Sequence, residues 1–150
     1  MTNAHENGDA AAVQTAIQIG FDVLNILIDQ FRLEMGRRFD ALWADALSEL
    51  DGLAGELFHG ISPETANITV NLYVVKSRYD EREGDKDATM VLDAFTELVS
   101  RVLDTVRKTL GEGLVSKALR EAVKILSMVD KYQQELRLPD YFKKKIQGLG

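Results

Sequence analysis

The sequence predicts an all-α fold: a helical bundle of about five helices, led by a long N-terminal helix and assembled as a homodimer. Three observations carry this expectation. Apolar residues recur at spacings of three and four along three long segments, the period of helices with buried faces. Only one short stretch alternates like a strand, and a lone strand has no partner for its backbone groups. At 150 residues with no cysteine, the chain is long enough to bury a core without disulfides or thiolate-held metals.

Residues 1–8, MTNAHENG, are polar and read as a disordered tail, which leaves 9–150 as a single helical-bundle domain. Asp9 can cap a helix that opens with the strong helix formers Ala10 to Ala12. From there Ile17, Phe21, Leu24, Ile28, Phe31 and Met35 form one apolar face. Ile19, Val23, Ile26 and Leu33 form a second, about 200° away for residues two apart. A helix apolar on two faces must be covered on both. A small bundle has few ways to wrap a helix, so Ile19, Val23, Ile26 and Leu33 are expected at a subunit interface.

The helical pattern continues through Phe39, Trp43, Ala46, Leu50, Leu53 and Leu57. Residues 9–58 fit one helix bent near Gly36 or two separate ones; a continuous helix would run about 75 Å and need an oligomer to shelter it. Gly52, Gly55 and Gly60 loosen its end. Ser62-Pro63-Glu64 then has the form of a helix start, with a capping hydroxyl, a proline in the first turn and a carboxylate near the positive end of the dipole. Residues 67–75 suit either state: Ile68, Val70, Leu72 and Val74 alternate with Thr69, Asn71 and Tyr73, yet Ile68, Leu72, Val75 and Tyr79 share a helical face. With no second strand to pair, a helix over 62–79 is the better expectation.

Asp80 to Asp87 is a charged turn, and Asp87 can cap the next helix, whose broad apolar face runs from Val91 to Val106. Gly111-Glu112-Gly113 ends it. Leu114, Val115, Ala118, Leu119, Ala122, Val123, Leu126 and Val129 carry a further amphipathic helix to about Leu136. Pro139 breaks that pattern, and Asp140 can cap a short last helix bearing Tyr141, Phe142 and Ile146.

Charge narrows the functional classes. The net charge of −6 disfavours general nucleic-acid binding, which needs a basic face. Its distribution is uneven: residues 101–150 hold 11 Lys and Arg against 6 Asp and Glu, whereas residues 1–100 hold 7 against 18. The two regions either pack together or meet across a subunit or partner interface. The N-terminus lacks a basic segment before an apolar one, and the most apolar run, Ala16 to Ile28, is interrupted by Asp22 and Asn25. A cytoplasmic protein without a transmembrane segment is expected.

Candidate chemistry is sparse. Glu56 and His59 have the spacing of a di-iron bundle ligand pair, but the only other histidine is His5, in the tail. Gly111-Glu112-Gly113 lacks the preceding strand and third glycine of a dinucleotide loop, Ser116 standing in that place. An EF-hand built on Gly84 would put Tyr79 at the first ligand position. Lys143 to Lys145 beside Tyr141 and Phe142 read as a docked amphipathic end, with an acidic partner or membrane surface as the other reading. No catalytic, cofactor-binding or metal-binding residue is assigned, and no cofactor is expected.

His59 with Ser62-Pro63 resembles, over about ten residues, the phosphoacceptor helix of histidine kinases and histidine phosphotransferases. There a histidine on a dimeric helical hairpin is followed shortly by a proline. Gly60 here replaces the acidic residue that follows the histidine. The resemblance implies phosphotransfer with His59 as acceptor. The principal expectation is a non-enzymatic regulatory or scaffolding protein that binds itself and another protein through helix faces. The alternatives are histidine phosphotransfer and a helical sensor holding a small apolar ligand.

Overall fold

The computed structural model describes residues 2–61, 68–82, 84, 87–132 and 137–149. Seven helices follow in order: α1 (Thr2–Met35), α2 (Arg38–Ser48), α3 (Gly52–Phe58), α4 (Ile68–Glu81), α5 (Ala88–Leu110), α6 (Glu112–Tyr132) and α7 (Leu138–Gln147). The fold is all-α, with more and shorter helices than the five expected. The Ser62-Pro63-Glu64 start lies outside the described residues.

α1 and α5 form the centre. α1 packs along α5 and α6 and also touches α2, α4 and α7; α5 in turn meets α2, α3, α6 and α7. Among the described residues, neither α6 nor α7 touches α2, α3 or α4. The bundle therefore has a central pair, with α2–α4 on one side of it and α6–α7 on another.

The two apolar stripes of α1 turn out to be the edges of one broad arc. With 3.6 residues per turn, Val13, Ala16, Gly20 and Leu27 fall between them. All of these are buried, as are Ile17, Phe21, Leu24, Ile28 and Phe31 on one edge and Ile19 and Val23 on the other. The solvent strip is narrow and polar, carrying Gln14, Gln18 and Asp29. Half-buried Asp22 borders it; burial raises its carboxyl above the usual range, and a 2.9 Å hydrogen bond from Gln18 opposes that shift. From Ala11 to Met35 the helix is long and apolar enough to cross a bilayer by length and composition, counting across the Asp22 and Asn25 interruptions. In this fold its arc packs against helices of the same chain, α5 and α6 foremost.

Gly20 sets the approach of α1 to α5. A Cβ placed there would lie 2.4 Å from the Phe95 ring. Phe95 is fully buried and cannot swing aside, because Phe21 meets it edge-on at 5.2 Å and Phe58 at 4.7 Å. Three helices thus converge on one ring.

The continuous 9–58 helix does not form. α1 stops at Met35, and Gly36 takes a left-handed φ of 60° that L side chains rarely adopt, its N–H donating to the Arg32 carbonyl. The Arg32 guanidinium then reaches Asp40 at 2.7 Å across the corner. Phe31, Phe39 and Trp43 step round it as tilted neighbours, and Trp43 Nε1 donates to the Ile61 carbonyl at 2.7 Å. At the other end, α1 begins at Thr2, so Asp9 lies within the helix rather than capping it, and the residues expected as a tail extend its first turns. A helix already anchored along its apolar face extends at little cost, since its nucleus is formed.

Two loop devices hold the remaining elements. Tyr79 is buried, and its hydroxyl donates to the Asp87 carbonyl at 3.1 Å and accepts from the Asp87 N–H at 2.7 Å. Asp87 then caps α5 as its sequence position predicts, accepting from the Thr89 N–H at 2.9 Å. Gly111, with φ 84°, ends α5. Arg107, in its last turn, pairs with Asp104 at 3.2 Å and with Glu112 of α6 at 2.6 Å, and donates to the Leu149 carbonyl beyond α7. α7 begins two residues before the expected Asp140 cap. Leu138 and Pro139 occupy its first turn, where a missing N–H costs nothing, and Arg137 precedes them with φ 57°.

Two stability measurements test these devices. Gly20→Ala gains about 1 kcal/mol in helix propensity but forces a methyl into the Phe95 ring, an overpacking cost of about 1–3 kcal/mol. Urea denaturation is expected to show net destabilisation; a more stable variant would refute the close-approach account. Tyr79→Phe leaves two groups at Asp87 without their partner and is expected to lose about 1–2 kcal/mol. An unchanged midpoint would show that water replaces the hydroxyl freely.

Candidate functional site

The sequence-predicted interface residues are not gathered on one surface. Ile19 and Val23 are buried inside the chain's own bundle, and Ile26 is half-buried against the same core. Leu33, 80% exposed, is the one of the four that faces outward. Ile19 and Val23, expected at a subunit interface, are covered within the chain's own bundle instead, so their cover needs no second subunit.

His59 is the C-cap of the seven-residue α3 and is exposed. Its imidazole is therefore not carried on the flank of a long helix. What the structure holds there is backbone: Arg78 of α4 donates to the Leu57 carbonyl at 3.0 Å and to the His59 carbonyl at 2.8 Å, placing a cation at the negative end of α3. Glu56, three residues earlier, approaches Arg82 at 3.8 Å rather than the histidine. Among the described residues, no three His, Asp or Glu side chains converge as a metal site.

A polar cluster lies where α7 crosses the start of α5. The Tyr141 hydroxyl donates to Asp93 at 2.6 Å, Lys145 stands 3.6 Å from the same carboxylate and 5.5 Å from the Tyr141 ring, and Lys144 pairs with Asp140 at 3.2 Å. Beside it opens a cleft of about 550 Å³ reaching Thr89 and Arg137. The bond to Asp93, aided by burial, pushes the Tyr141 phenol up to about 12. Phe142 and Ile146 on the inner face of α7 are fully buried, so the lysine run is the outer face of a docked amphipathic helix.

A second concavity runs along α6 where it meets the end of α7. Leu119 and Val123 form its floor, Ser116 and Gln147 its ends, and Arg120 and Lys124 its rim, around about 370 Å³. Lys117 is exposed beside it on α6. Lys124 pairs with Glu121 at 3.1 Å, whereas Lys117 and Arg120 pair with no carboxylate among the described residues. The groove is thus apolar at its base and cationic at its edge. Sequence reasoning placed Leu119 and Val123 on the apolar face of this helix; the signal that Val123 lies at the surface is its spacing from Arg120 and from Ser127, three and four residues away.

On the other side of the bundle the balance reverses. Asp40, Asp45 and Glu49 of α2, Asp51 and Glu56 near α3, and Asp80 and Glu81 of α4 are all exposed. Tyr73 of α4 is 72% exposed. It belongs to the polar half of the strand-like alternation at 67–75, and on a helix that half is divided: Asn71 is buried and Tyr73 is outside.

Absorbance titration of tyrosinate checks the α5–α7 contact. A phenol whose folded value lies above its unfolded one stabilises the fold fully below pH 10 and loses that contribution as pH rises from 10 towards 12. In the folded protein Tyr141 is expected to ionise late, and Asp93→Asn to bring it back towards pH 10. A wild-type titration with every tyrosine at its ordinary value would remove the Tyr141–Asp93 bond from the solution structure.

Comparison with known protein families, with curated proteins and with solved structures found no significant match for this chain.

Proposed function

We propose that the protein is a non-enzymatic regulatory or scaffolding bundle that works by contacts of its helix faces, with copies of itself and with protein partners. One observation supports this most directly: charge is segregated between two sides of the fold that do not touch. The described residues 38–61 and 68–82, which carry α2–α4, hold 7 Asp and Glu against 4 Lys and Arg. Residues 112–127 and 137–147 of α6 and α7 hold 7 Lys and Arg against 3 Asp and Glu. A bundle needs no such separation to fold, because surface ion pairs add about 0–1 kcal/mol each and mixed charges serve solubility as well.

Segregated charge steers association. A basic side and an acidic side on one chain attract when copies meet in the right orientation and repel in the others, which raises productive encounters and suppresses wrong ones. Docking through side-by-side helix faces then needs apolar contact in the middle of the patch, and the exposed Leu33, Tyr73 and Leu110 and the α6 groove are apolar features of the described surface.

Light scattering across a hundredfold concentration range, at low and at moderate salt, tests the reading. The expected result is a mass above the 16.7 kDa of one chain that rises with concentration at low salt and falls as salt is added. A mass of one chain throughout would reject self-association. A concentration- and salt-independent dimer would reject the electrostatic basis and favour a buried apolar interface.

A further inference from the structure

We infer that the groove between α6 and α7 seats an acidic amphipathic helix of a different protein. That helix lays an apolar ridge over Leu119 and Val123 and sets carboxylates against Lys117, Arg120 and Lys124. The inference rests on the partner-binding half of the function proposed above and names the partner's chemistry. Leu119 is nearly buried and Val123 half-buried against the core, so the floor is apolar and recessed. About 370 Å³ is room for side chains and not for a helix about 10–12 Å across, so the occupant lies along the mouth and sends side chains down. Leu119 and Val123 stand one helical turn apart, which matches an apolar ridge of the same spacing on the occupant.

The rim decides the occupant's charge. Lys117, Arg120 and Lys124 recur at spacings of three and four, so they form one cationic stripe along the exposed flank of α6. Lys124 pairs with Glu121, whereas Lys117 and Arg120 have no carboxylate partner among the described residues. Asp or Glu beside the occupant's ridge would meet these two cations at the edge, where charge sets orientation and speeds association. Nucleic-acid phosphates would leave the apolar floor unused, and a lipid surface takes up protruding apolar side chains, not recessed ones. A second copy offers no acidic apolar ridge among its described residues. Its α2 buries Phe39, Trp43 and Ala46 in its own core, and its exposed Leu33 is a single side chain. Its exposed Tyr73 stands on a helix segment where Lys76, Arg78 and Arg82 outnumber Asp80 and Glu81.

Fluorescence anisotropy with labelled synthetic helices tests this. The first peptide, of about 18 residues so that it holds its helix in water, carries leucines at spacings of three and four with glutamates beside them. A second has lysine for every glutamate, and a third scatters the leucines of the first around the helix. At low salt only the first is expected to bind, more weakly as salt is added, with amide shifts in the protein's NMR spectrum centred on Leu119, Val123 and Gln147. Arg120→Glu, at an exposed position and so expected to keep the wild-type circular dichroism and melting, should bind it at least about tenfold more weakly. Val123→Asp, which puts a carboxylate on the groove floor, should do the same. No binding of the first peptide at about 1 mM, equal binding of the third, or no change in Arg120→Glu overturns the proposal. So does uptake of the wild type, but not of Arg120→Glu, onto phosphatidylserine-containing vesicles, which would make the groove part of a membrane surface. Self-association that Arg120→Glu abolishes, with no peptide bound by the wild type, would give the groove to a second copy. Salt-dependent self-association that Arg120→Glu leaves intact, again with no peptide bound, removes this site and leaves the proposed function standing. A wild type that neither self-associates nor binds the peptide overturns both.

Discussion

The close passage of α1 over α5 at Gly20 is the constraint on which the fold depends. A hydrogen in place of a side chain lets the Phe95 ring lie against the α1 backbone, where any Cβ would sit 2.4 Å from it. That ring is held edge-on by Phe21 from α1 and Phe58 from α3, so one residue fixes the spacing of the central pair and anchors the first side helix to it. Bulk at position 20 would part the central pair, and the buried Val23, Leu24 and Leu27 further along α1 would lose their cover with it.

Much of this was legible in the sequence because helical periodicity reports burial directly. The broad face of α5, the Asp87 cap and the glycine end at Gly111 stand where the sequence puts them. The arc of α1 was harder to read. Its middle is Ala16 and Gly20, and small residues carry little hydrophobic signal, so the two large-residue edges looked like separate faces. A separate second face calls for a second subunit; an arc with a cleft of small residues calls for a helix of the same chain. The break at Gly36 was visible as an option but undecided, since a glycine inside a helical pattern costs only about 1 kcal/mol and does not by itself stop a helix. The Tyr79–Asp87 lock and the Tyr141–Asp93 bond join residues whose spacing has no sequence signature, because the contact is made by tertiary packing.

The same limit governs the candidate site. Uneven charge along the chain was readable, but whether it segregates in space depends on which helices touch. Had α6 packed against α4, the basic and acidic residues would have neutralised one another within one copy, and the asymmetry would have meant only intramolecular pairing. The packing of α6 and α7 on the central pair alone keeps the two charged surfaces apart. His59 shows the converse. Its residue type suggested chemistry, and its position at the end of a seven-residue helix gives its backbone carbonyl, held by Arg78, the definite structural role.

Net charge and charge separation act against each other in any association of this protein. Copies carrying −6 repel at long range, more weakly as salt screens them beyond about 10 Å. The attraction between basic and acidic sides acts at short range and only in one relative orientation. A small apolar contact buries far less than the roughly 1,200 Å² of a stable specific interface, so it would not hold copies together without that orientation. Under the proposed self-association, the combination would make any assembly selective, reversible and sensitive to ionic strength. Reversibility of that kind would suit the proposed scaffold, and it would follow from the placement of α6 and α7 more than from any single residue in them.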